Sequence, residues 1–383
     1  MKKKIIGIKK TIKISKMKRY FAIAALLITW AAFSNKLLAQ SNLEERLSEV
    51  ESKLEKKSPA WDKIVKSLNP GGYLQIGYNW ADDNTSTFKI TRAMLNFSGN
   101  LYSGKYGSID YKFNTSFAGT PKILDLFVVY MPIKEFGIKV GEFKSPITYE
   151  NEGISPTNLE FVNFANSVQR FARMEGDICD LSTGGRDIGI EFLGSAFHKD
   201  GYSLLSYELA LFNGYKLNTT DNNKSKDIVG KIMINPIKQL TLSTYFQRGE
   251  GAYPDFDEIT QSFIPQTTDK YIVMWRYGGG AYYKPNWGFL RGEFIGGKTG
   301  VLKSVGGYLA GGVWVAKNLM AVARADYFNA DTQSSGIYEM DYTAGFRWEP
   351  LKNLDLRLNY TYKNLTGGFR DKSSIYTQLT VKF

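Results

Sequence analysis

The sequence predicts an all-β protein: a transmembrane, antiparallel β-barrel of about sixteen strands, carrying a short N-terminal helical, coiled-coil segment. Three observations lead there. Stretches of about nine or ten residues alternate apolar and polar side chains, which puts the two kinds on opposite faces of a strand long enough to cross a bilayer at a tilt. A proline-marked turn recurs between such stretches. And beyond residue 40 there is no apolar run long enough for a membrane-spanning helix.

The final segment shows the alternation most plainly. In "LDLRLNYTYK" Leu354, Leu356, Leu358, Tyr360 and Tyr362 share one face, and Asp355, Arg357, Asn359, Thr361 and Lys363 share the other. One face suits hydrocarbon and the other suits water, and a closed sheet is the strand arrangement that leaves no backbone group unpaired in lipid. The chain ends "SSIYTQLTVKF", where Ile375, Thr377, Leu379, Val381 and Phe383 fall on the lipid side. Tyr376, Leu379, Val381 and the terminal Phe383 resemble the signal read by the outer-membrane assembly machinery. The same alternation recurs in "YLQIGYNW", "SIDYKFNTSF", "ILDLFVVY" and "AVARADY", none of which has the two-sided apolarity of a buried parallel strand.

The turns form a repeat. "MPIKEFGIKVG", "NPIKQLTLS" and "EPLKNLDLR" place Pro132, Pro236 and Pro350 before an aliphatic residue, a Lys and a polar residue. Proline has no N–H to give a ladder and is tolerated at a strand end, so each copy reads as a short hairpin turn. Between these turns lie polar connections such as "NGYKLNTTDNNKSK" and "NADTQSSG". Short turns on one side and longer polar loops on the other are the asymmetry of an outer-membrane barrel with both ends of the chain on the periplasmic side.

Ahead of the barrel (72–383), two segments differ in character. Residues 1–39 read as a signal peptide: a basic region to Arg19, the apolar run "FAIAALLITWAAF", and Ala39 as a small residue before the cut. Residues 1–40 hold nine Lys, Arg19 and no acid, so the net charge of +12 reduces to +2 in the rest and gives no reason to expect a nucleic-acid partner. Residues 40–71 read as a periplasmic helical segment, in which Leu43, Leu47, Val50 and Leu54 have the spacing of a coiled-coil seam. With one His and one Cys, a metal cluster or a Ser/His or Cys/His catalytic centre has no material. Neither an enzyme nor a cofactor is expected.

One connection stands apart. The third outer loop, 145–185, is too long for a connector, and its apolar residues Ile147, Leu159, Phe161, Val162, Phe164, Val168 and Phe171 need a surface. The inside of the barrel wall provides one, and the loop would then narrow the pore. Parity places Arg92, Lys112, Lys139, Lys231, Arg276, Arg324, Arg347 and Arg357 in the lumen with Asp110, Asp125, Glu191, Glu208, Asp326, Glu339, Asp341 and Asp355. The loop itself is acidic by four charges, and Arg170 and Arg173 are its strong cations, with Lys144 at its root. Lys144, Arg170 and Arg173 are therefore the candidate anion contacts at a constriction.

The pieces "ITRAMLNFSGNL" with Arg92, "VGEFKSPITYE" and above all "GGRDIGIEFLG" at Gly184 to Gly194 resemble the phosphate-selective porin O and P family over residues 72–383. The resemblance implies a homotrimer of sixteen-stranded barrels, each constricted by an infolded third loop and passing small hydrophilic solutes, with phosphate or polyphosphate preferred. A non-selective general porin is one alternative. A structural or adhesive barrel tied to the cell wall by its N-terminal segment is another.

Overall fold

The computed structural model describes residues 68–82, 86–251, 255–257, 262–264, 271–333, 337–367 and 370–383. The signal peptide and the heptad seam expected from the sequence lie outside these residues. Within them the chain is a closed antiparallel barrel of sixteen strands. The strands are β1 (Asn69–Ala81), β2 (Thr87–Gly104), β3 (Gly107–Ser116), β4 (Lys122–Ile133), β5 (Phe136–Lys144), β6 (Arg186–Lys199), β7 (Tyr202–Phe212), β8 (Asp227–Ile237) and β9 (Leu240–Gly251), then β12 (Ile272–Tyr283), β13 (Gly288–Thr299), β14 (Leu302–Ala316), β15 (Leu319–Asn329), β16 (Glu339–Leu351), β17 (Leu354–Leu365) and β18 (Lys372–Lys382). A separate small hairpin, β10 (Asp255–Asp257) with β11 (Ser262–Ile264), sits in the connection between β9 and β12.

Each barrel strand pairs with its neighbours in sequence, and β18 closes on β1 in register from Tyr73↔Lys382 to Ala81↔Ser374. The last residue takes part in the closure. Phe383 donates its N–H to the carbonyl of Gly72 and accepts the Gly72 N–H, both at 3.0 Å. Its ring lies where a Cβ at Gly72 would be, 2.6 Å away, so only glycine fits beneath it.

The proline repeat has a physical role at the turns. Pro132, Pro236 and Pro350 each sit where the ladder shifts register, between Tyr130 and Ile133, Ile234 and Ile237, and Trp348 and Leu351. The position next to the bulge needs no donor, which is what proline lacks. The opposite rim is less uniform than the loop composition suggests. The third connection runs over 145–185, but β13 turns into β14 through Gly300 and Val301 alone, with Gly300 at φ +58°. Glycine there costs little in the left-handed region, so the strands simply run on until they meet.

Parity is kept around the wall. In β17, Asp355, Arg357 and Asn359 are buried, whereas Leu358 and Tyr360 are nearly half exposed on the outside. In a barrel filled only with water the inner set would be wet. It is buried because the third connection, here called L3, lies against it.

Candidate functional site

L3 contains two short helices, α1 (Tyr149–Gly153) and α2 (Asn166–Phe171), joined by an irregular stretch. Its apolar side chains enter one cluster with the wall: Ile147, Leu159, Phe161, Val168 and Phe171 pack with Phe143, Phe212, Phe289, Tyr308 and Phe328. Burying each such side chain stabilises the docked loop by about 1.5–3 kcal/mol. The expectation that these residues line the inside of the barrel agrees with this packing. At Gly306 of β14 a Cβ would stand 2.9 Å from the Cβ of Ser167, so α2 rests directly on the sheet there.

A loop without regular structure must place its backbone polar groups elsewhere, and here the wall receives them. Glu293 of β13 accepts the N–H groups of Tyr149 (2.7 Å) and Glu150 (2.9 Å) at the start of α1. Asp326 of β15 accepts those of Asn166 and Ser167 at the start of α2. Each helix thus has a wall carboxylate at its positive end, the place where it is most stabilising. The carbonyls between the helices go to arginines. Arg357 donates to Pro156, Thr157 and Phe161, Arg347 to Asn158, and Arg324 to Asn163. Gln75 of β1 also donates to Pro156.

Arg291 of β13 clamps both limbs of L3. Its buried guanidinium pairs with Glu150 at 2.9 Å and Glu160 at 3.1 Å, framed by the rings of Tyr282, Phe289 and Tyr308. Neither Arg291 nor Glu293 was among the residues singled out from the sequence. The signal was there: in "GFLRGEFIGG" both share the inner parity of Phe289. What no parity shows is which loop residue each would meet.

The three candidate anion contacts have separate surroundings. Arg173 is buried between Asp187 of β6 (2.7 Å) and Asp227 of β8. Arg170 pairs with Glu339 of β16 at 3.2 Å and donates to the carbonyl of Gly176. Lys144 donates to the carbonyls of Asn151 and Ile154. Of the cations assigned to the lumen, Lys139 pairs with Glu191, Arg324 is 3.9 Å from Asp326, and Arg347 and Arg357 share Asp355 at 2.5 and 2.7 Å. These charges hold the wall and the loop together. Lys231 likewise bridges Glu152 of α1 and Glu208 of β7.

A different group remains. The hydrogen bonds and ion pairs that hold L3 run to β1, β5, β6, β8, β12, β13 and β15–β17, and on β4 Phe127 packs against the apolar cluster. On β2, Arg92 donates to Gln75 at 2.8 Å and has no carboxylate partner among the described residues. Lys112, with 42% of its side chain exposed, lies 3.4 Å from Asp125. Arg186, at the foot of β6, shares that carboxylate at 2.8 Å. Arg186 also lies within electrostatic reach of both Arg92 and Lys144. Four cations, Arg92, Lys112, Lys144 and Arg186, thus stand with two buried carboxylates, Asp125 and Glu142, the second of which is held by Asn218 of the following outer loop. The acidic Glu175 of L3 also acts on Arg92.

Among solved structures the chain is similar to an anion-selective porin from Comamonas acidovorans, at 10% identity and a TM-score of 0.65, covering 83% of this chain and 99% of that one. OmpF of Salmonella typhi, in complex with daunomycin, has 12% identity and a TM-score of 0.60 over 82% of this chain and 97% of its own. The outer-membrane channel DcaP of Acinetobacter baumannii has 12% identity and a TM-score of 0.58 over the same shares. At these identities the likeness establishes the porin barrel fold. No family model matches the chain and no curated protein is similar to it, so the resemblance to phosphate-selective porins rests on the quoted residues alone.

Proposed function

We propose that the chain is an outer-membrane porin, a passive water-filled channel for small hydrophilic solutes in which L3 forms the constriction and the solute passes it along β2, β3 and β4. The observation that carries this reading is the division of labour among the lumen charges. Most are consumed in fixing L3, and Lys144 also gives hydrogen bonds to its carbonyls, while Arg92, Lys112 and Arg186 cluster beside Lys144 in a strip on β2–β6, where Arg92 is ion-paired to no carboxylate among the described residues. Clustered donors are what an anion needs in place of its hydration shell, so the preference is for anions. Phosphate is the member of that class which the family resemblance favours. Arg170 and Arg173 then contribute through the loop's position, and Lys144 is the one of the three candidate contacts that belongs to the strip.

A homotrimer is the assembly this reading carries, supported by the heptad seam at Leu43 to Leu54. A trimer form is also recorded for a structural neighbour, OmpT of Vibrio cholerae. A monomeric mass in mild detergent would count against it. The test of the function itself is purified protein in a planar bilayer. A porin gives steady open steps at low voltage, and a structural barrel closed by its loop gives none.

A further inference from the structure

Three lipid-facing cations stand side by side near the rim of the barrel that carries L3. The registers place Arg248 of β9 opposite Trp275 of β12, Trp275 opposite Lys298 of β13, and Lys298 opposite Lys303 of β14. All four side chains have the outward parity, so they form one row across four neighbouring strands. Arg248 lies with its guanidinium 5.8 Å from the centre of the Trp275 ring. None of the three cations is ion-paired to a carboxylate among the described residues. Among the described residues Glu250 lies two residues beyond Arg248, and Asp331 adjoins Thr332, whose N–H donates to the carbonyl of Lys303. Toward β7 the same row continues as Ile228 and Leu211, so the basic character is confined to β9–β14.

Directly beneath the row, toward the middle of the membrane, the wall has a groove of about 630 Å³. Tyr207, Leu209, Ile232, Phe246, Tyr277 and Phe294 border it on β7–β13. The two rings at its upper edge lie flat over glycines of neighbouring strands. Phe246 leans over Gly230, where a Cβ would stand 2.4 Å from the ring, and Tyr277 leans over Gly296 at 2.8 Å. Phe246 and Tyr277 are the next outward residues below Arg248 and Trp275, so the groove opens straight from the cationic row.

We propose that this face binds an acylated, phosphate-bearing lipid of the outer leaflet, its phosphate on Arg248, Lys298 and Lys303 and an acyl chain in the groove below. Uncompensated cations beside hydrocarbon are costly unless an anion meets them, and basic pockets at a headgroup level are a recognised means of holding one. The proposal rests on the membrane location of the barrel and not on its anion preference, so it stands or falls separately.

The test is native mass spectrometry of the full mature chain in mild detergent, titrated with bisphosphorylated hexa-acyl lipid A and, separately, with its dephosphorylated form. The phosphorylated lipid should be retained about ten-fold more tightly or better, and Arg248→Gln with Lys298→Gln and Lys303→Gln should bring it down to the dephosphorylated level. Phe246→Ala with Tyr277→Ala should weaken both forms alike. Because these side chains face outward, each variant should keep the wild-type conductance, which verifies that the barrel has formed. Equal retention of the two lipids by the unaltered protein, or undiminished retention by the triple variant, overturns the proposal. So does displacement by an equal concentration of phosphatidylglycerol, since the row would then be a general anionic surface.

Discussion

Removing the guanidinium of Arg291 should loosen the constriction without opening the barrel. The change Arg291→Met keeps most of the volume and the aromatic contacts but leaves Glu150 and Glu160 without the cation they share at 2.9 and 3.1 Å. Taking one partner from a buried ion pair costs about 3–5 kcal/mol, mostly because the remaining charge is stranded. The barrel ladder contains none of these contacts, so the cost falls on the docking of L3. Arg324→Met serves as a graded comparison, for it removes a 3.0 Å hydrogen bond to the carbonyl of Asn163, a charged bond worth about 1.5–3 kcal/mol. In single-channel recordings Arg291→Met should show strong open-channel noise and a raised mean conductance, with Arg324→Met between it and the wild type. A quiet Arg291→Met channel of wild-type conductance would show that apolar packing alone holds the loop, and the ion-pair clamp would have to be abandoned.

Further outcomes follow from the same contacts. Deleting Gly153 to Gly176 should raise single-channel conductance several-fold in any barrel that assembles, and unchanged conductance would place L3 outside the passage. Arg173→Ala strands Asp187 and Asp227, so it should lower the temperature at which the assembled protein loses its compact gel mobility by a larger margin than Arg170→Ala, whose partner Glu339 keeps Lys363 at 2.9 Å; equal effects would contradict the assignment. In L3, burial pushes the Asp177 carboxyl up from 3.8 to about 6. Its neutral form is the one the fold favours, so the stability it allows is full below the ordinary value and is lost as pH rises through about 6. Asp177→Asn should therefore raise thermal resistance at pH 8 and have no effect at pH 4, and a loss at pH 8 would reverse the sign.

The barrel was legible because its signals are local. A strand facing lipid on one side and water on the other must alternate, as Leu354 to Lys363 do, and Pro132, Pro236 and Pro350 mark turns because a missing N–H is tolerated only beside a bulge. Parity also set Asp355, Arg357 and Asn359 on the face opposite Leu358 and Tyr360, and in the structure the first three are buried and the last two exposed. What it could not supply was the fate of those charges. Arg357 reads identically whether it meets a solute or the carbonyl of Phe161, 196 residues away in sequence. The same holds for Arg173, which sits between two aspartates of strands β6 and β8, and for Arg291, whose clamp joins segments that no periodicity links. The lipid-facing row was hidden for a related reason: Arg248, Lys298 and Lys303 are single charges in three strands, and only register brings them together.

The central claim is that the strip on β2–β6, and not the loop cations, sets a preference for anions. It is tested most directly by reversal potentials in a potassium chloride gradient, with inorganic phosphate as a second anion, for the wild type and for Arg92→Gln, Lys112→Gln and Arg186→Gln combined. Screening limits each charge to about 8–10 Å, so only cations beside the passage should register. Chloride should be more permeant than potassium in the wild type, and the combined variant should lose or invert that preference while its conductance persists. A wild-type preference for potassium, or a variant as anion-selective as its parent, would contradict the account.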